Sequence, residues 1–365
     1  MPVRWGILLI DLTGFPMRLL HGDCLELLPT LPDNSIDLIL TDPPYYRVKS
    51  NDWDNQWDSE VDFMQWCERV LIEFSRVLKP TGSLYWFAGP YMAAKLELLI
   101  GQHYQVLNHI VWVKRAGRHN GCRKEGLRKY FPQTERVIFA EPKQAGKALN
   151  SQINAQAKYL FKPLADYMNN LRKSAGLTIS ECESICGSTT AGHYFSASQF
   201  HLPSQQNFTK LLEAFGNSEK YSDLEGRYRD IQSEFLNLKA KYEHLRRPFA
   251  VTKDVPFTDV WHFEPVAFYE GKHQCEKPMA LLEHMVTVSS RPGDRVLDAF
   301  MGSGSTGDAA IRLKRDFVGI EADADNFEMA EARIMKSRKG RELQSETPGQ
   351  ACSAAQSEVH ECLAL

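Results

Sequence analysis

The stretch S-I-D-L-I-L-T-D-P-P-Y-Y (Ser35–Tyr46) decides how this chain is read. Ile36 to Leu40 is a short apolar run broken only by Asp37, the pattern of a strand in a parallel sheet covered by helices on both faces. Pro43 and Pro44 cannot donate to a ladder and push the residues before them towards extended backbone, so the strand ends at about Thr41. Asp42 and Tyr45 are left at a strand's carboxyl end, the edge where open α/β sheets hold their ligands. On its own the stretch reads equally as a rigid turn capped by a polar residue.

Outward from this stretch, short apolar runs alternate with amphipathic ones, the rhythm of βαβ units. Candidate strands are Arg18–His21, Ile36–Leu40, Ser83–Phe87, Val106–Lys114 and Arg136–Ala140. Val61–Leu78 repeats apolar residues at helical spacing and runs into K-P-T-G, a stop signal, which predicts a helix covering the sheet. After Pro142 the strand pattern gives way to helices and polar loops until strand-like residues return near Val260. A second α/β block follows: a helix over Lys277–Ser289, a turn at R-P-G-D, a strand over Arg295–Asp298, a helix over Asp308–Lys314 and a strand over Phe317–Ile320. The expected division is an N-terminal extension (1–17), a first α/β part (18–145), a helical insert (146–255), a second α/β part (256–336) and a tail (337–365). Met17 opens a cleaner reading than Met1, and the tail, rich in Ser, Gln, Glu and Gly, is expected to be disordered.

A chain of 365 residues, 43% hydrophobic and 24% charged, has room for one large domain or two ordinary ones. A net charge of −3 confines any nucleic-acid surface to a local patch. No apolar run reaches the length of a membrane span, so no membrane partner is expected. Eight scattered cysteines without a secretory signal indicate reduced thiols in a cytoplasm. Cys182 and Cys186 stand four apart with His193 nearby; lacking the second half of a structural zinc site, they read as core thiols, and no metal is expected.

D-A-F-M-G-S-G-S-T-G (Asp298–Gly307) follows a predicted strand and opens a predicted helix. Gly302, Gly304 and Gly307 match G-x-G-x-x-G, and Glu321 ends the next strand about twenty residues beyond Gly302. The glycines let a cofactor approach the backbone, and the acid suits ribose hydroxyls. These residues alone do not separate a nicotinamide dinucleotide, and with it an oxidoreductase, from S-adenosylmethionine.

Together, T-D-P-P-Y and D-A-F-M-G-S-G-S-T-G resemble the amino-directed DNA methyltransferases, which act on adenine N6 or cytosine N4. In that family the first block is catalytic and the second holds the cofactor. The catalytic block comes first here, an order that resembles the family's β group, whose target-recognition region occupies the gap. H-G-D-C-L-E-L-L (His21–Leu28), L-K-P-T-G-S-L-Y-W-F and E-K-P also fall where the family has such motifs, so the resemblance covers roughly residues 18–141 and 261–335. It implies an α/β fold: a Rossmann-like, seven-stranded, mostly parallel methyltransferase sheet, circularly permuted in motif order, with the Arg295–Asp298 strand beside Ile36–Leu40. It implies S-adenosyl-L-methionine held by Asp23, Cys24, Lys277, Asp298, Phe300, Gly302, Gly304, Thr306 and Glu321, and catalysis by Asp42, Pro43, Pro44 and Tyr45. Double-stranded DNA is the implied substrate; a homodimer and a cognate restriction endonuclease stay open as partners.

An exocyclic amino group is a poor nucleophile because its lone pair is delocalised into the ring. Asp42 can accept one N–H and the Pro43 carbonyl the other, which favours a pyramidal nitrogen aimed at the sulfonium methyl. The target is hidden inside a duplex, so the base must flip out, with Tyr45 as its stacking face. Cytosine C5 chemistry would need a nucleophilic cysteine, typically after proline, and no Pro-Cys pair occurs. By resemblance, Asp at the first motif position leans towards adenine N6, whereas Ser there is commoner in N4-cytosine enzymes.

Two segments suit DNA. K-R-A-G-R-H-N-G-C-R-K-E-G-L-R-K holds Lys114, Arg115, Arg118, Arg123, Lys124 and Arg128, a basic loop apt for phosphate contacts. Within the insert, residues 160–215 resemble a helix-turn-helix: Gly176 ends one helix, Thr178 to Glu181 forms a capping box, and Ser188 or Thr189 caps a later segment. That reading puts Thr189, Thr190 and His193 against bases, and its bland counterpart is a bundle that only shapes a DNA cleft.

Overall fold

The computed structural model describes residues 7–10, 17–48, 54–114, 128, 130, 132–143, 160–216, 221–251, 258–270, 272–273 and 275–345. Among the described residues nine strands share one sheet: β1 (Ile7–Ile10), β2 (Met17–His21), β3 (Ile36–Thr41), β4 (Leu78–Ala88), β5 (Tyr104–Val113), β6 (Thr134–Pro142), β7 (Val260–His262), β8 (Arg295–Asp298) and β9 (Asp316–Glu321). Their order is β1-β2-β9-β8-β3-β4-β6-β5-β7. The expected seven strands are the run from β2 to β5 in that order, and β1 and β7 extend it at its two edges. Pairings β2–β9, β9–β8, β8–β3, β3–β4 and β5–β7 are parallel, whereas β1–β2 and β4–β6 are antiparallel.

The quoted stretch lies at the centre of this sheet. Ile36 and Ile39 pack into the core of one face, with Phe63, Val70 and Phe74 of helix Glu60–Val77. Leu38 and Leu40 pack into the core of the other, with Leu281 and Met285 of helix Met279–Ser289. Burial on both faces explains the nearly continuous apolar run. Its one polar member, Asp37, accepts from Lys79 Nζ at 2.7 Å and from the Arg295 N–H at 2.9 Å, fastening the starts of β3, β4 and β8 together. Beside it, Leu38 pairs with Val296 and Ile39 with Leu297, so residues far apart in the chain become neighbours.

The chain divides into two compact units, residues 1–140 with 249–365, and residues 141–248. The second is helical: Lys162–Ser174, Ile179–Cys186, Gln205–Ala214 and Tyr221–Leu245 enclose a core that includes Leu164, Met168, Cys182 and Phe208. The capping box is formed, with the Thr178 hydroxyl oxygen accepting from the Glu181 N–H at 3.2 Å and Glu181 accepting from the Thr178 N–H at 2.7 Å. The later segment is not an α-helix but a 3-10 helix, Thr189–Phe195. Gly192 and two β-branched threonines are weak helix formers, and a three-residue turn sets Ala191 and Tyr194 on one face, both buried.

A second difference concerns the tail, where helix Ala324–Ser345 runs past position 336. Residues 337–345 contain Arg, Lys, Glu, Leu and Gln, all good helix formers. Ser337 also donates to Asp308 Oδ1 at 2.6 Å, and Arg338 is buried. Residues 346–365 lie outside the described residues. Among the described residues, no helix is long and apolar enough to cross a membrane, and no cluster of His, Cys, Asp and Glu is arranged to hold a metal.

Candidate active site

After β3 the chain crosses to β4 on one side, and after β8 it crosses to β9 on the other. Where connections diverge in this way, the strand ends leave a crevice. The Thr41 hydroxyl donates to Asp298 Oδ1 at 3.0 Å, joining the two strand ends at its floor. One cleft of about 640 Å³ opens there, within the size range of small-molecule sites. Asp23, Phe300, Gly302 and Glu321 line it at one end, and Asp42, Pro43, Tyr45 and Lys277 at the other.

The D-P-P-Y turn is held from several sides. The Tyr45 N–H donates to Asp54 Oδ1 at 2.8 Å, and its hydroxyl donates to Asp42 Oδ1 at 2.9 Å. Burial, then the Asp42 and Glu135 charges, push the Tyr45 phenol well above its ordinary value, so it stays a donor. Lys277 ion-pairs with Asp42 Oδ2, and lies 3.6 Å from Glu135 Oε2. Burial works to discharge this lysine, but the two carboxylates outweigh it and raise its pKa. Lys277 thus lines the same cleft as Gly302 and sits against the Asp42 carboxylate.

At the other end, Gly302 (φ +46°) and Gly304 (φ +74°) are left-handed. Gly304 is not part of the cleft wall: a Cβ there would stand 2.7 Å from Ala330 Cα, so this glycine permits helix packing. Glu321 Oε2 accepts the Gly302 N–H at 2.8 Å and Oε1 the Asp323 N–H at 3.0 Å. Burial raises the Glu321 pKa against those two bonds. Asp298, fully buried and accepting from Thr306, Phe300 N–H and Thr41, is pushed up to about 7 by burial. Asp23 caps helix Cys24–Leu27, accepting from the Leu25 N–H at 2.8 Å. Burial pushes the Cys24 thiol up, which keeps it uncharged.

The residues expected to meet DNA belong to both units. Lys114 borders the cleft and pairs with Glu135. Arg128 is exposed, whereas Arg115, Arg118, Arg123 and Lys124 lie outside the described residues. Thr189 and Thr190 are exposed at the start of the 3-10 helix, and His193 is half-buried against His201, ring centroids 5.1 Å apart. The sequence reading missed Glu135, whose only signal is an acid opening the apolar run T-E-R-V-I-F-A, and Trp66, whose ring lies 5.5 Å from Phe300 on the cleft wall.

The N6/N4 methyltransferase family model, described as DNA methylase, matches residues 36–332. This chain belongs to that family of DNA methylases. The methylase is 24% identical over 340 residues to the Type II methyltransferase M.HinfI of Haemophilus influenzae, covering 89% of this chain and 70% of that one. It is 25% identical over 325 residues to the DNA adenine methyltransferase YhdJ of Escherichia coli K12, covering 87% and 82%. Among solved structures it is similar to TTHA0409 of Thermus thermophilus complexed with S-adenosyl-L-methionine, at 19% identity, 89% and 95% coverage and TM-score 0.47. PvuII DNA methyltransferase, cytosine-N4-specific, gives 13% identity, 90% and 95% coverage and TM-score 0.49. The methylase's cofactor is S-adenosyl-L-methionine, and the cleft suits it. A half-buried carboxylate beside left-handed Gly302 matches a ribose, and the Trp66–Phe300 wall matches an adenine.

Proposed function

We propose that this methylase transfers the S-adenosyl-L-methionine methyl group to the exocyclic N6 of an adenine flipped out of duplex DNA, at a specific sequence. The observation that carries this reading is the cleft holding Asp42 and Tyr45 at one end and the Gly302–Glu321 pair at the other. Asp at the head of the motif supports adenine, as does the similarity to YhdJ, itself a DNA adenine methyltransferase. The order of the two blocks supports the β group, and the likeness to a Type II methyltransferase supports a restriction-modification setting in a bacterial cytoplasm.

Asp42 accepts one amino N–H and the Pro43 carbonyl accepts the second, so the nitrogen turns its lone pair away from the ring. Both Asp42 oxygens already accept a bond, from Tyr45 and from Lys277, yet a carboxylate has about four lone-pair sites, which leaves capacity for the substrate. As the N–C bond forms, the sulfonium S–C bond breaks and its pair neutralises the sulfur. The methylated nitrogen then releases one proton to cleft water. The Tyr45 ring covers the flipped base, and stacking of this kind contributes about 1–3 kcal/mol per base. Basic residues from Lys114 to Arg128 supply phosphate contacts, and the insert near Thr189, Thr190 and His193 contributes to sequence choice.

The test is nucleoside mass spectrometry on duplex DNA incubated with the purified protein and isotopically labelled S-adenosylmethionine. Labelled N6-methyladenine is the expected product. Labelled N4-methylcytosine would overturn the adenine assignment, and NADH binding without S-adenosylmethionine binding would overturn the whole reading.

A further inference from the structure

Around the D-P-P-Y turn lies a cluster of charged groups that the account of the transfer has so far left without a role. Glu135, the second residue of β6, has a side chain only 16% exposed and is bounded by two cations. Its Oε1 pairs with Lys114 Nζ, and its Oε2 lies 3.6 Å from Lys277 Nζ and 3.4 Å from the Tyr45 hydroxyl. Lys277, with a side chain 8% exposed, spans from Glu135 to Asp42, its ammonium 4.9 Å from the Phe87 ring centroid. Two carboxylates and two ammonium groups thus balance in charge within a half-closed cleft.

Stability is a poor explanation for this arrangement, because the cost of desolvating buried ions offsets much of their attraction. Lys277 is also no base: its carboxylate partners hold it protonated. What the cluster does is fix the two Asp42 oxygens, one to Tyr45 and one to Lys277, so that the carboxylate cannot rotate and keeps its remaining lone pairs towards the cleft.

We propose that Glu135 and Lys277 are positioning residues: Glu135, backed by Lys114, holds the Lys277 ammonium against Asp42, and that ammonium holds Asp42 as a charge-paired, oriented acceptor for the substrate amino group. The inference rests on the reading of Asp42 as that acceptor. The charged and titratable groups facing the ammonium are Asp42 and Tyr45 after β3, Glu135 on β6 and Cys275, two residues before Lys277. Lys114 faces Glu135, and Asp298 feels the Asp42 charge from the end of β8.

The experiment compares single-turnover methyl transfer against pH for the wild type, Lys277→Met, Lys277→Arg and Glu135→Gln, at saturating DNA and S-adenosylmethionine. Cofactor Kd is measured by calorimetry on each. Lys277→Met should slow transfer roughly 100-fold at neutral pH, the loss typical of one positioned electrostatic group. It should also move the acid limb of the rate profile up by about one pH unit or more. Glu135→Gln should slow transfer roughly 10-fold, the lower end for an outer orienting group, and move the limb in the same direction. Lys277→Arg should restore the limb to its wild-type position even where the rate stays reduced, with cofactor Kd within about threefold throughout. Rates lowered equally at every pH, with the limb unmoved, would reduce the cluster to a structural brace and overturn the proposal, as would unchanged rates in Glu135→Gln. A wild type that methylates no amino group would instead sink the reading of the site. If Lys277→Met does not fold, Lys277→Arg and Glu135→Gln still decide the matter.

Discussion

Asp298 offers a test in which the magnitude follows from one buried group. It sits at the end of β8, fully buried, and burial raises its pKa from 3.8 to about 7. Because the folded value is the higher one, folding favours the protonated acid. That contribution is intact below about pH 3.8 and is lost as the pH climbs through about 7. At about 1.4 kcal/mol per pH unit, ionisation costs about 4 kcal/mol at pH 8, above both values, but only about 1.6 kcal/mol at pH 5. Asp298→Asn removes the ionisation while keeping an oxygen to accept from Thr41 and the Phe300 N–H. Its amide nitrogen imposes an offset common to both pH values. The quantity to read is therefore the change in the variant's advantage between pH 5 and pH 8, about 2.5 kcal/mol in favour of the variant at pH 8. Urea unfolding followed by tryptophan fluorescence isolates the relevant unit, since every tryptophan (5, 53, 57, 66, 86, 112 and 261) falls in residues 1–140 or 249–365. A variant whose advantage is the same at pH 5 and pH 8 would refute the reasoning, because Asp298 would then ionise freely in the fold.

Asp42→Ala should lower methyl transfer by about 10²-fold or more while cofactor Kd stays within about threefold; retained transfer would remove Asp42 from its acceptor role. Gly304→Ala should destabilise the sheet unit by about 3 kcal/mol or more, since a Cβ at φ +74° is strained by about 1–2 kcal/mol and also meets the Ala330 backbone. Gly101→Ala, at a helical position with open space around it, should instead stabilise by about 0.5–1 kcal/mol in the same urea assay. Tyr45→Phe should keep most affinity for DNA whose target base is already unpaired, whereas Tyr45→Ala should lose about 1–3 kcal/mol, measured by fluorescence anisotropy.

Much of the catalytic unit was legible in the chain because its signals are local. A strand buried on both faces must be apolar throughout, two prolines must stop it, and a glycine loop between strand and helix must lie at a sheet edge. The exact reach of β4 was not legible, because Lys79–Gly82 reads as a helix stop and yet enters the sheet once Lys79 has Asp37 to pair with. Glu135 and Lys277 were harder still. Each is an ordinary charged residue in its own segment, and only the β4–β6 pairing and the return of the chain after the insert bring both to Asp42. The 3-10 segment at Thr189–Phe195 escaped for a different reason: its capping signal is genuine, but core packing of Ala191 and Tyr194 chose the tighter helix.

The pairing of β3 with β8, and of β2 with β9, also bears on how the protein comes into being. While the ribosome is still making the insert, both early strands have an edge whose permanent neighbour does not yet exist. Contacts so distant along the chain form slowly. At the usual pace of synthesis the wait between β3 and β9 is on the order of tens of seconds. During it Asp42 has no cofactor wall opposite, and β2 and β3 offer bare edges to any other chain. Overexpression at lower temperature, or with chaperones that cover such edges, should therefore raise the soluble yield, while the finished enzyme, once β9 has closed between β2 and β8, has no further need of them.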